Sequence, residues 1–382
     1  MEALMIGVSG MRGTIGGTLT PIVVNRMASA FAAWLIANEK PANGTHFRVV
    51  IGRDGRPSGF WVRDATVAAL TASHNPILWN GLKFLNRNCI APPPAHAKQI
   101  RELYDAEASR YVRVEHLVPP RKNGDTHALH VKKVMDYVDV LGISSKRFKV
   151  VLDSVNGSGS VATSTLLSRL GTRLVHIHGT PDGQFPHNPE PTAENLVGLA
   201  DEVKRQKADV GFAQDPDADR LAIVDENGVY IGEEYSLALA ARHLMSKKPG
   251  GIAATNLSTS RMLDDVAAQF GGRVIRTPVG EANVVEMMQA VNAAIGGEGS
   301  AGGVIFPAVQ LCRDSFIAMA FLLDLMAETG QTVSELVDSL PKYTRKMGKV
   351  GFTHGRLGGL MQTLEEGFPE ATADRTDGLK LQ

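Results

Sequence analysis

Three aspartates at alternate positions are the residues in this sequence that point most directly to chemistry. Asp215, Asp217 and Asp219 lie between apolar runs at 210–212 and 221–224. Side chains two residues apart in an extended segment share a face, so the three carboxylates can converge on one point. A hard divalent cation would relieve their mutual repulsion, and oxygen ligands without histidine or cysteine favour Mg²⁺ or Mn²⁺ over zinc. The pattern predicts a metal site that keeps positions open for a phosphate.

Two other interpretations of these aspartates stay open. Acidic turns that are simply exposed to solvent are common in proteins. Closely spaced aspartates after a strand also resemble the loop of haloacid-dehalogenase-type phosphatases, in which an aspartate is the nucleophile. The latter interpretation would make Asp215 the nucleophile.

A serine and two basic side chains form a second candidate site. Ser73 and His74 precede an Asn-Pro pair at 75–76, and Lys83 follows at short range. A turn set up by the Asn-Pro pair can project the Ser73 hydroxyl, with His74 or Lys83 as base or phosphate anchor. The same segment is also compatible with a capped turn that has no catalytic role.

Two glycine-rich segments hold further candidate residues. The segment 7–13 contains Arg12, whose guanidinium and neighbouring backbone N–H groups would suit an anionic oxygen. The segment 296–303 contains Glu298 and Ser300, which suit the hydroxyls or an amine of a sugar. Each segment taken alone is also compatible with an ordinary loop.

The elements that must position these residues follow an alternating pattern. Short β-branched runs follow residue 148, at 150–152, 174–177 and 210–212. Helical patterns separate them, and a second series of the same kind begins near residue 250. A helix at 21–39 with a strand at 47–51 indicates a third unit near the N-terminus. This alternation is typical of α/β layered domains.

Polar, turn-rich segments indicate the domain boundaries. They lie around 122–124 and 247–251. The residues after 341 are too few for another independent domain of ordinary size. We therefore predict domains at 1–123, 124–247 and 248–341, followed by a remnant at 342–382.

The composition excludes several classes of protein. The 382 residues carry 40 basic and 40 acidic side chains, which argues against nucleic acid or an anionic membrane as the main partner. Cys89 and Cys312 lie far apart and match no metal-ligand spacing. The N-terminus does not have the pattern of a signal peptide. The most apolar run, 316–326, contains Asp324 and is shorter than the roughly 20 residues of a membrane span. A cytoplasmic protein is expected.

Taken together and in order, the motifs resemble the α-D-phosphohexomutase superfamily, which includes phosphoglucomutases, phosphomannomutases and phosphoglucosamine mutases. The resemblance extends over nearly the whole chain, at 7–13, 52–59, 71–76, 215–220, 277–280, 297–298 and 376–380. It implies three consecutive α/β layered domains around a central cleft, with an incomplete α+β C-terminal domain.

The resemblance implies a role for each candidate residue. Ser73 would carry the phosphoryl group, and Asp215, Asp217 and Asp219 would hold Mg²⁺ together with an oxygen of that phosphoserine. The other catalytic residues would be Arg12 and Arg220, which neutralise phosphate charge, Lys83 as general acid/base, and His74. The residues that bind the sugar would be Gly280, Glu298 and Ser300.

The implied reaction interconverts hexose 1-phosphate and 6-phosphate through phosphoserine, with a hexose 1,6-bisphosphate as intermediate and activator. The hexose would be glucosamine, mannose or glucose, and the glycine-rich loop near Glu298 favours the first two. The alternative is a catalytically impaired relative that binds Mg²⁺ and phosphosugar. The protein would be a monomer or a homodimer.

Two departures from the family pattern motivate that alternative. Eleven residues, 60–70, separate Gly59 from Thr71, and a parallel crossover needs a dozen or more. The first domain is therefore predicted to be internally shortened. The Arg-x-Ser-x-Thr-Glu-Pro loop, by which the family's fourth domain binds phosphate, does not occur in the sequence. The segment 342–382 is therefore predicted to lack the phosphate-binding loop.

Overall fold

The computed structural model describes most of the chain. The described residues are 3–7, 10–41, 47, 49–65, 69–70, 75–86, 88–108, 123–344 and 357–381. In these ranges there are three four-stranded sheets and one two-stranded sheet. No helix among the described residues is both long enough and apolar enough to cross a membrane.

The N-terminal unit has an antiparallel sheet with the strand order β1-β2-β4-β3. Its elements are β1 (Met5–Gly7), β2 (Gly10–Thr14), α1 (Pro21–Asn38), α2 (Gly59–Ala65), β3 (Ala69–Leu70), β4 (Trp79–Lys83) and α3 (Pro94–Asp105). The helix α1 begins with a Thr20 side chain that accepts from the backbone N–H of Val23, and it packs against α3. Phe31 of α1 stacks on Phe84 at a ring distance of 4.3 Å.

The predicted strand at 47–51 is wrong for its described residues. Residues 47 and 49–51 belong to no described strand pair, and Val50 is 80% exposed. Ile51 packs against the core of the N-terminal unit, but without a neighbouring strand for their backbone groups the described residues of this run form no strand.

The second unit places helices around a mixed sheet. Its elements are α4 (Thr126–Met135), α5 (Val140–Lys146), β5 (Lys149–Asp153), α6 (Ser160–Arg169), β6 (Arg173–Ile177), α7 (Val197–Gln206), β7 (Val210–Gln214) and β8 (Leu221–Val224). The order is β6-β5-β7-β8, in which β8 alone is antiparallel to its neighbour. Both β7 and β8 are buried at every position, which accounts for sequences that are apolar except at Gln214, the last residue of β7.

The third unit repeats this architecture. Its elements are α8 (Glu234–Lys247), β9 (Ile252–Asn256), α9 (Met262–Gln269), β10 (Arg273–Thr277), α10 (Glu281–Ala290), β11 (Ile295–Glu298), β12 (Gly303–Ile305), α11 (Ser315–Thr329) and α12 (Val333–Asp338). The order is β10-β9-β11-β12, again with only the last strand antiparallel. The predicted α/β class is confirmed, and the predicted domain boundaries stay predictions.

The apolar run at 316–326 is the buried part of α11. Asp314 caps this helix by accepting from the Phe316 backbone N–H at 2.9 Å, and Gly330 ends it in the left-handed region. The helix packs against α4, α5 and β8 of the second unit and against α8 and β12 of the third. It is therefore apolar on all sides because protein surrounds it.

The C-terminal segment is α13 (Leu357–Glu366) followed by the hairpin of β13 (Ala373–Asp374) and β14 (Lys380–Leu381). Two hydrogen bonds between described residues join it to the third unit. The Asp377 carboxylate accepts from the Val279 backbone N–H at 2.7 Å, and Lys380 Nζ donates to the Leu257 carbonyl at 3.4 Å.

Candidate active site

Lys83 and the three aspartates meet at one point. Lys83, the last residue of β4, donates from Nζ to Asp217 Oδ2 at 2.9 Å and to Asp219 Oδ2 at 3.3 Å. The aspartates lie between β7 and β8, 134 residues further along the chain in the case of Asp217. The fold therefore brings together two motifs that lie 134 residues apart in the sequence.

The aspartate loop between β7 and β8 folds back on its first residue. The buried Asp215 Oδ1 accepts from the backbone N–H groups of Asp219 at 3.2 Å and Arg220 at 3.1 Å. Ala218 adopts a positive φ of 60°, which turns the chain so that three carboxylates face inward. One oxygen of each carboxylate lies within 4.8 Å of the other two.

Two of these oxygens need a partner. Asp217 Oδ1 and Asp219 Oδ1 are buried, and neither has a hydrogen-bond partner in the described part of the chain. A buried carboxylate oxygen without a donor or a cation is unfavourable. The donor set consists of carboxylate oxygens only, which suits a hard divalent cation. The aspartates therefore form a candidate metal site.

Burial and neighbouring charges separate the pKa values of this cluster. Burial, with the charges of Asp217 and Asp219, raises the pKa of Asp215 well above its usual range. Burial would also raise the pKa of Asp217 and Asp219, but the combined effect of their neighbours, chiefly Lys83 for Asp217 and Arg313 for Asp219, outweighs burial and lowers both pKa values. Burial would lower the pKa of Lys83, but the two carboxylates outweigh it and raise it. The cluster is thus a charged network with Lys83 as a central cation.

Ser73 and His74 lie outside the described residues, so their predicted roles stay predictions. The residue that follows them is held from two sides. Arg56 Nη2 donates to the Asn75 carbonyl at 2.6 Å, and Arg12 Nη1 donates to Asn75 Oδ1 at 3.4 Å. Arg56 itself is fully buried. The exit of the predicted phosphoserine turn is therefore anchored by two guanidinium groups.

Strand pairing puts Arg12 and Lys83 on the same face of the N-terminal sheet. Arg12 of β2 lies opposite Gly81 of β4, and Gly10 lies opposite Lys83. Positions two apart share a face of a strand. Gly10 has a φ of +121°, and a Cβ atom there would lie 1.8 Å from the Leu82 carbonyl oxygen. Only glycine allows β2 to approach β4 this closely.

Arg220 lies beside the aspartates, with its Nε 3.9 Å from Asp215 Oδ2 and 3.9 Å from Asp219 Oδ1. That Nε is buried without a hydrogen-bond acceptor among the residues described. A buried N–H of a guanidinium without an acceptor suits an anionic ligand such as a phosphate. The predicted role of Arg220 in neutralising phosphate charge stays a prediction.

The predicted sugar-binding residues Glu298 and Gly280 are in contact. Glu298 Oε1 accepts from the Gly280 backbone N–H at 3.1 Å and from Asn256 Nδ2 at 2.9 Å. Ser300 lies nearby at the surface, and its Oγ is 2.9 Å from Ser258 Oγ. The third unit therefore presents a buried carboxylate held by amides, with hydroxyl groups next to it.

Arg313 joins the sugar-binding residues to the aspartates, and sequence reasoning missed it. Its Nη2 donates to Asp219 Oδ2 at 2.6 Å, its Nε to Glu281 Oε2 at 2.7 Å and its Nη1 to Glu298 Oε2 at 3.1 Å. Burial would lower its pKa, but the three carboxylates raise it well above the usual value. The one sequence signal is an isolated arginine just before Asp314, the N-cap of α11.

Comparison with protein-family models matches most of the chain. The alpha/beta/alpha domain I of phosphoglucomutase/phosphomannomutase matches residues 3–71 and 63–111. Domain II of the same family matches residues 128–228, and domain III matches residues 232–343.

Curated proteins and solved structures agree with this family. A phosphoglucomutase/phosphomannomutase of Thermococcus kodakarensis is 35% identical over 89% of this chain and 80% of its own length. A probable phosphoglucosamine mutase of Methanopyrus kandleri is 29% identical over 98% of this chain and 88% of its own. The X-ray structure of a phosphoglucomutase/phosphomannomutase family protein from Burkholderia thailandensis has the same fold, with a TM-score of 0.81 at 23% identity over 99% of this chain and 88% of that one. The chain therefore belongs to the phosphoglucomutase/phosphomannomutase family, the α-D-phosphohexomutases, which are isomerase-class enzymes of carbohydrate metabolism.

Proposed function

We propose that this phosphohexomutase interconverts hexose 1-phosphate and 6-phosphate with Ser73 as the phosphoryl carrier and Mg²⁺ as its metal. The observation that carries the proposal is the meeting of Lys83 with Asp217 and Asp219. The substrate is a phosphate of glucosamine, mannose or glucose, which the names of the similar proteins support. A hexose 1,6-bisphosphate serves as intermediate and activator.

The metal would be held by the aspartate loop. Asp215, Asp217 and Asp219 supply carboxylate oxygens, and the Oδ1 atoms of Asp217 and Asp219 have no hydrogen-bond partner among the described residues. Bound Mg²⁺ would stabilise the negative charge that spreads over the phosphoryl oxygens during transfer.

Lys83 exchanges the proton of the sugar hydroxyl at its Nζ. Its ammonium is held by Asp217 and Asp219, and these two carboxylates, with a smaller contribution from Glu281, keep its pKa high against the effect of burial. When another cation neutralises these two carboxylates, the pKa of Lys83 falls and Lys83 can release its proton more easily. Proton transfer by a positioned side chain contributes about 10²–10⁴-fold to a rate.

The arginines bind and orient the charged groups. Arg220 directs a buried N–H without a described acceptor towards the aspartate loop, and Arg12 supports the turn after Ser73. Both are suited to phosphate oxygens through charge-assisted hydrogen bonds. Glu298, Ser300 and Gly280 recognise the sugar, and Arg313 keeps Glu298 in register with the aspartates.

The proposal is tested with purified protein, Mg²⁺ and a trace of the bisphosphate on the 1-phosphates of glucosamine, mannose and glucose. We expect turnover of at least one sugar and one phosphate on Ser73 by mass spectrometry. Ser73→Ala should remove both, whereas Ser145→Ala, at an exposed serine of α5, should remove neither.

Two outcomes would contradict the proposal. Activity that survives Ser73→Ala but is lost with Asp215→Asn would indicate an aspartyl nucleophile of the phosphatase type. No turnover on any of the three sugars, with Mg²⁺ bound, would instead support a relative that binds metal and phosphosugar without completing the cycle.

A further inference from the structure

A second cluster of metal-ligating residues lies in the second unit and shares no residue with the aspartate loop. Asp153 ends β5 and is buried, while His178 and His187 follow β6. Asp153 Oδ2 is 3.0 Å from His178 Nδ1 and 3.0 Å from His187 Nε2. One ligand atom of each residue lies within 4.8 Å of the other two.

The hydrogen bonds of His187 identify which of its ring nitrogens is available. Its Nδ1 is 2.8 Å from the Asn188 carbonyl oxygen, and a carbonyl can only accept, so Nδ1 carries the proton. In the neutral ring, Nε2 then has a lone pair, and this lone pair faces the Asp153 carboxylate. Two acceptors 3.0 Å apart need a cation between them, which is either a second proton on the ring or a metal ion.

The surroundings hold the cluster in the orientation of a metal site. A ligating histidine usually donates its other ring N–H to a carbonyl or carboxylate, as His187 does to Asn188. The other oxygen of Asp153 accepts from the Val155 backbone N–H at 2.9 Å, which leaves Oδ2 directed at the two rings. His178 and Val155 have positive φ values of 48° and 44°, strained conformations that occur preferentially at ligand-binding sites.

We propose that Asp153, His178 and His187 bind a divalent transition-metal ion of the zinc type. Two imidazole nitrogens and one carboxylate oxygen suit zinc, whereas Mg²⁺ prefers oxygen ligands. In a tetrahedral zinc site the ligand atoms are about 3.3 Å apart, so the 3.0 Å separations need to lengthen by only a few tenths of an ångström. The side chains of His178 and His187 are 34% and 22% exposed, which leaves a side open for entry and for water as fourth ligand.

The metal would stabilise the loop that supports the phosphoserine turn. His178 and His187 lie at the two ends of the loop 178–187, and the ring of Phe185 in this loop lies 5.0 Å below the Arg56 guanidinium. Gly183 in the same loop lies so close to Gly55 that a Cβ atom would come within 2.3 Å of the Gly55 carbonyl. Arg56 also donates to the backbone carbonyl of Asn75, which follows the predicted phosphoserine turn. A cation that fixes the loop 178–187 of the second unit would therefore help to hold this turn of the first unit in place.

Zinc binding to the full chain tests the proposal, with excess Mg²⁺ present to saturate the aspartate loop. Titration calorimetry with Zn²⁺ alone as the probe should give one site per chain, and Co²⁺ should give the visible absorption of a tetrahedral complex. His178→Gln and His187→Gln should each weaken zinc binding by at least about 100-fold, since even loss of a group that only orients a ligand costs 10- to 100-fold.

The control variants separate this site from its neighbours. His176→Gln changes a histidine of β6 whose Nε2 is 2.9 Å from Ser154 Oγ and which is outside the cluster, so zinc affinity should not change. Asp217→Asn, in the aspartate loop, should also leave the zinc affinity unchanged. The zinc measurement is therefore independent of the proposed mutase activity. Absence of a zinc site in the wild-type protein would overturn the proposal. A zinc affinity of His178→Gln equal to that of the wild type would also overturn it. Because His178 is partly exposed, this variant should fold, which circular dichroism can confirm.

Discussion

At the scale of single residues, the site depends on charge balance across three elements. Arg313 contacts carboxylates of the aspartate loop, of α10 and of β11. Its side chain is 9% exposed, so these contacts replace the water that each charge loses on burial. The guanidinium suits this position because its planar fork donates in several directions at once.

Arg313→Gln should destabilise the protein and reduce its activity. Removing one member of a buried charge network leaves the others uncompensated, and we expect the free energy of unfolding to fall by about 3 kcal/mol. Arg313→Lys should recover part of the stability but little of the activity, since an ammonium cannot satisfy three carboxylates in the same geometry. Urea denaturation and mutase kinetics measure the two effects.

Arg242 provides the matched control for this prediction. It lies on α8 and donates to Ser339 Oγ and to Gln331 Oε1, outside the site. Arg242→Gln should change stability by less than about 0.5 kcal/mol. If Arg313→Gln has an effect as small as this, Arg313 does not hold the network together.

The sequence predicted the residue types of the site better than their partners. The aspartates and Lys83 stand in segments whose spacing indicates chemistry, and the fold brings them within hydrogen-bond distance. No local pattern marks Arg313, because its role depends on three carboxylates that lie in other elements and are distant from it in the sequence. The cluster of Asp153 with two histidines was missed for the same reason.

At the scale of elements, one polar residue connects two helices through an apolar interface. Asp324 of α11 is buried, and its Oδ2 is 3.1 Å from His243 Nε2 and 2.9 Å from Lys247 Nζ on α8. Burial would raise the pKa of Asp324, but the hydrogen bonds from His243 and Lys247 outweigh it and lower the pKa. The ionised form of Asp324 therefore stabilises the packing of α8 against α11.

Asp324→Asn should cost about 3 kcal/mol of the free energy of unfolding at neutral pH, because it leaves the buried His243 and the partly exposed Lys247 without their charged acceptor. The pKa of Asp324 is lower in the folded state than the roughly 3.9 of an unfolded chain, so its contribution is present above pH 4 and is lost as the pH falls through the folded value. Denaturation at pH 7, 5 and 3 should show the difference from wild type shrinking with acidity. An undiminished difference at pH 3 would contradict this assignment.

At the scale of the whole molecule, the second and third units are two copies of one topology. Both sheets have the same strand order, with only the last strand antiparallel. The aspartate loop follows the third strand of one sheet, and the loop of Ser300 follows the third strand of the other. The metal loop and the sugar loop therefore occupy corresponding positions, as ligand sites at the carboxyl ends of parallel strands commonly do.

Much of this architecture was predictable, because the alternation of β-branched runs and helical patterns is continuous from residue 148 to residue 305. The repeat itself was not visible, since the two units share strand order rather than residues. The strand at 47–51 failed because a local pattern cannot supply a neighbouring strand. The burial of α11 on all sides likewise depends on elements from both units.

Mg²⁺ should stabilise the whole chain by binding the folded state. At 100 times its dissociation constant, a ligand adds about 2.7 kcal/mol to the free energy of unfolding, which calorimetry would detect as a higher Tm. Asp217→Asn should remove most of this increase, because Asp217 supplies a buried oxygen that has no hydrogen-bond partner among the residues that the structure describes. Glu202→Gln, at a surface carboxylate paired with Arg205, should keep it. An equal increase in both variants would place the cation elsewhere.

The position of α11 has a consequence for synthesis of the chain. This helix covers α4, α5 and β8, yet it begins at Ser315, 91 residues after β8 ends at Val224. A nascent chain that has not yet emerged as far as α11 exposes the apolar flank of its second unit to the ribosome surface and to chaperones. Completion of that unit thus waits for translation of the helix that it shares with its neighbour.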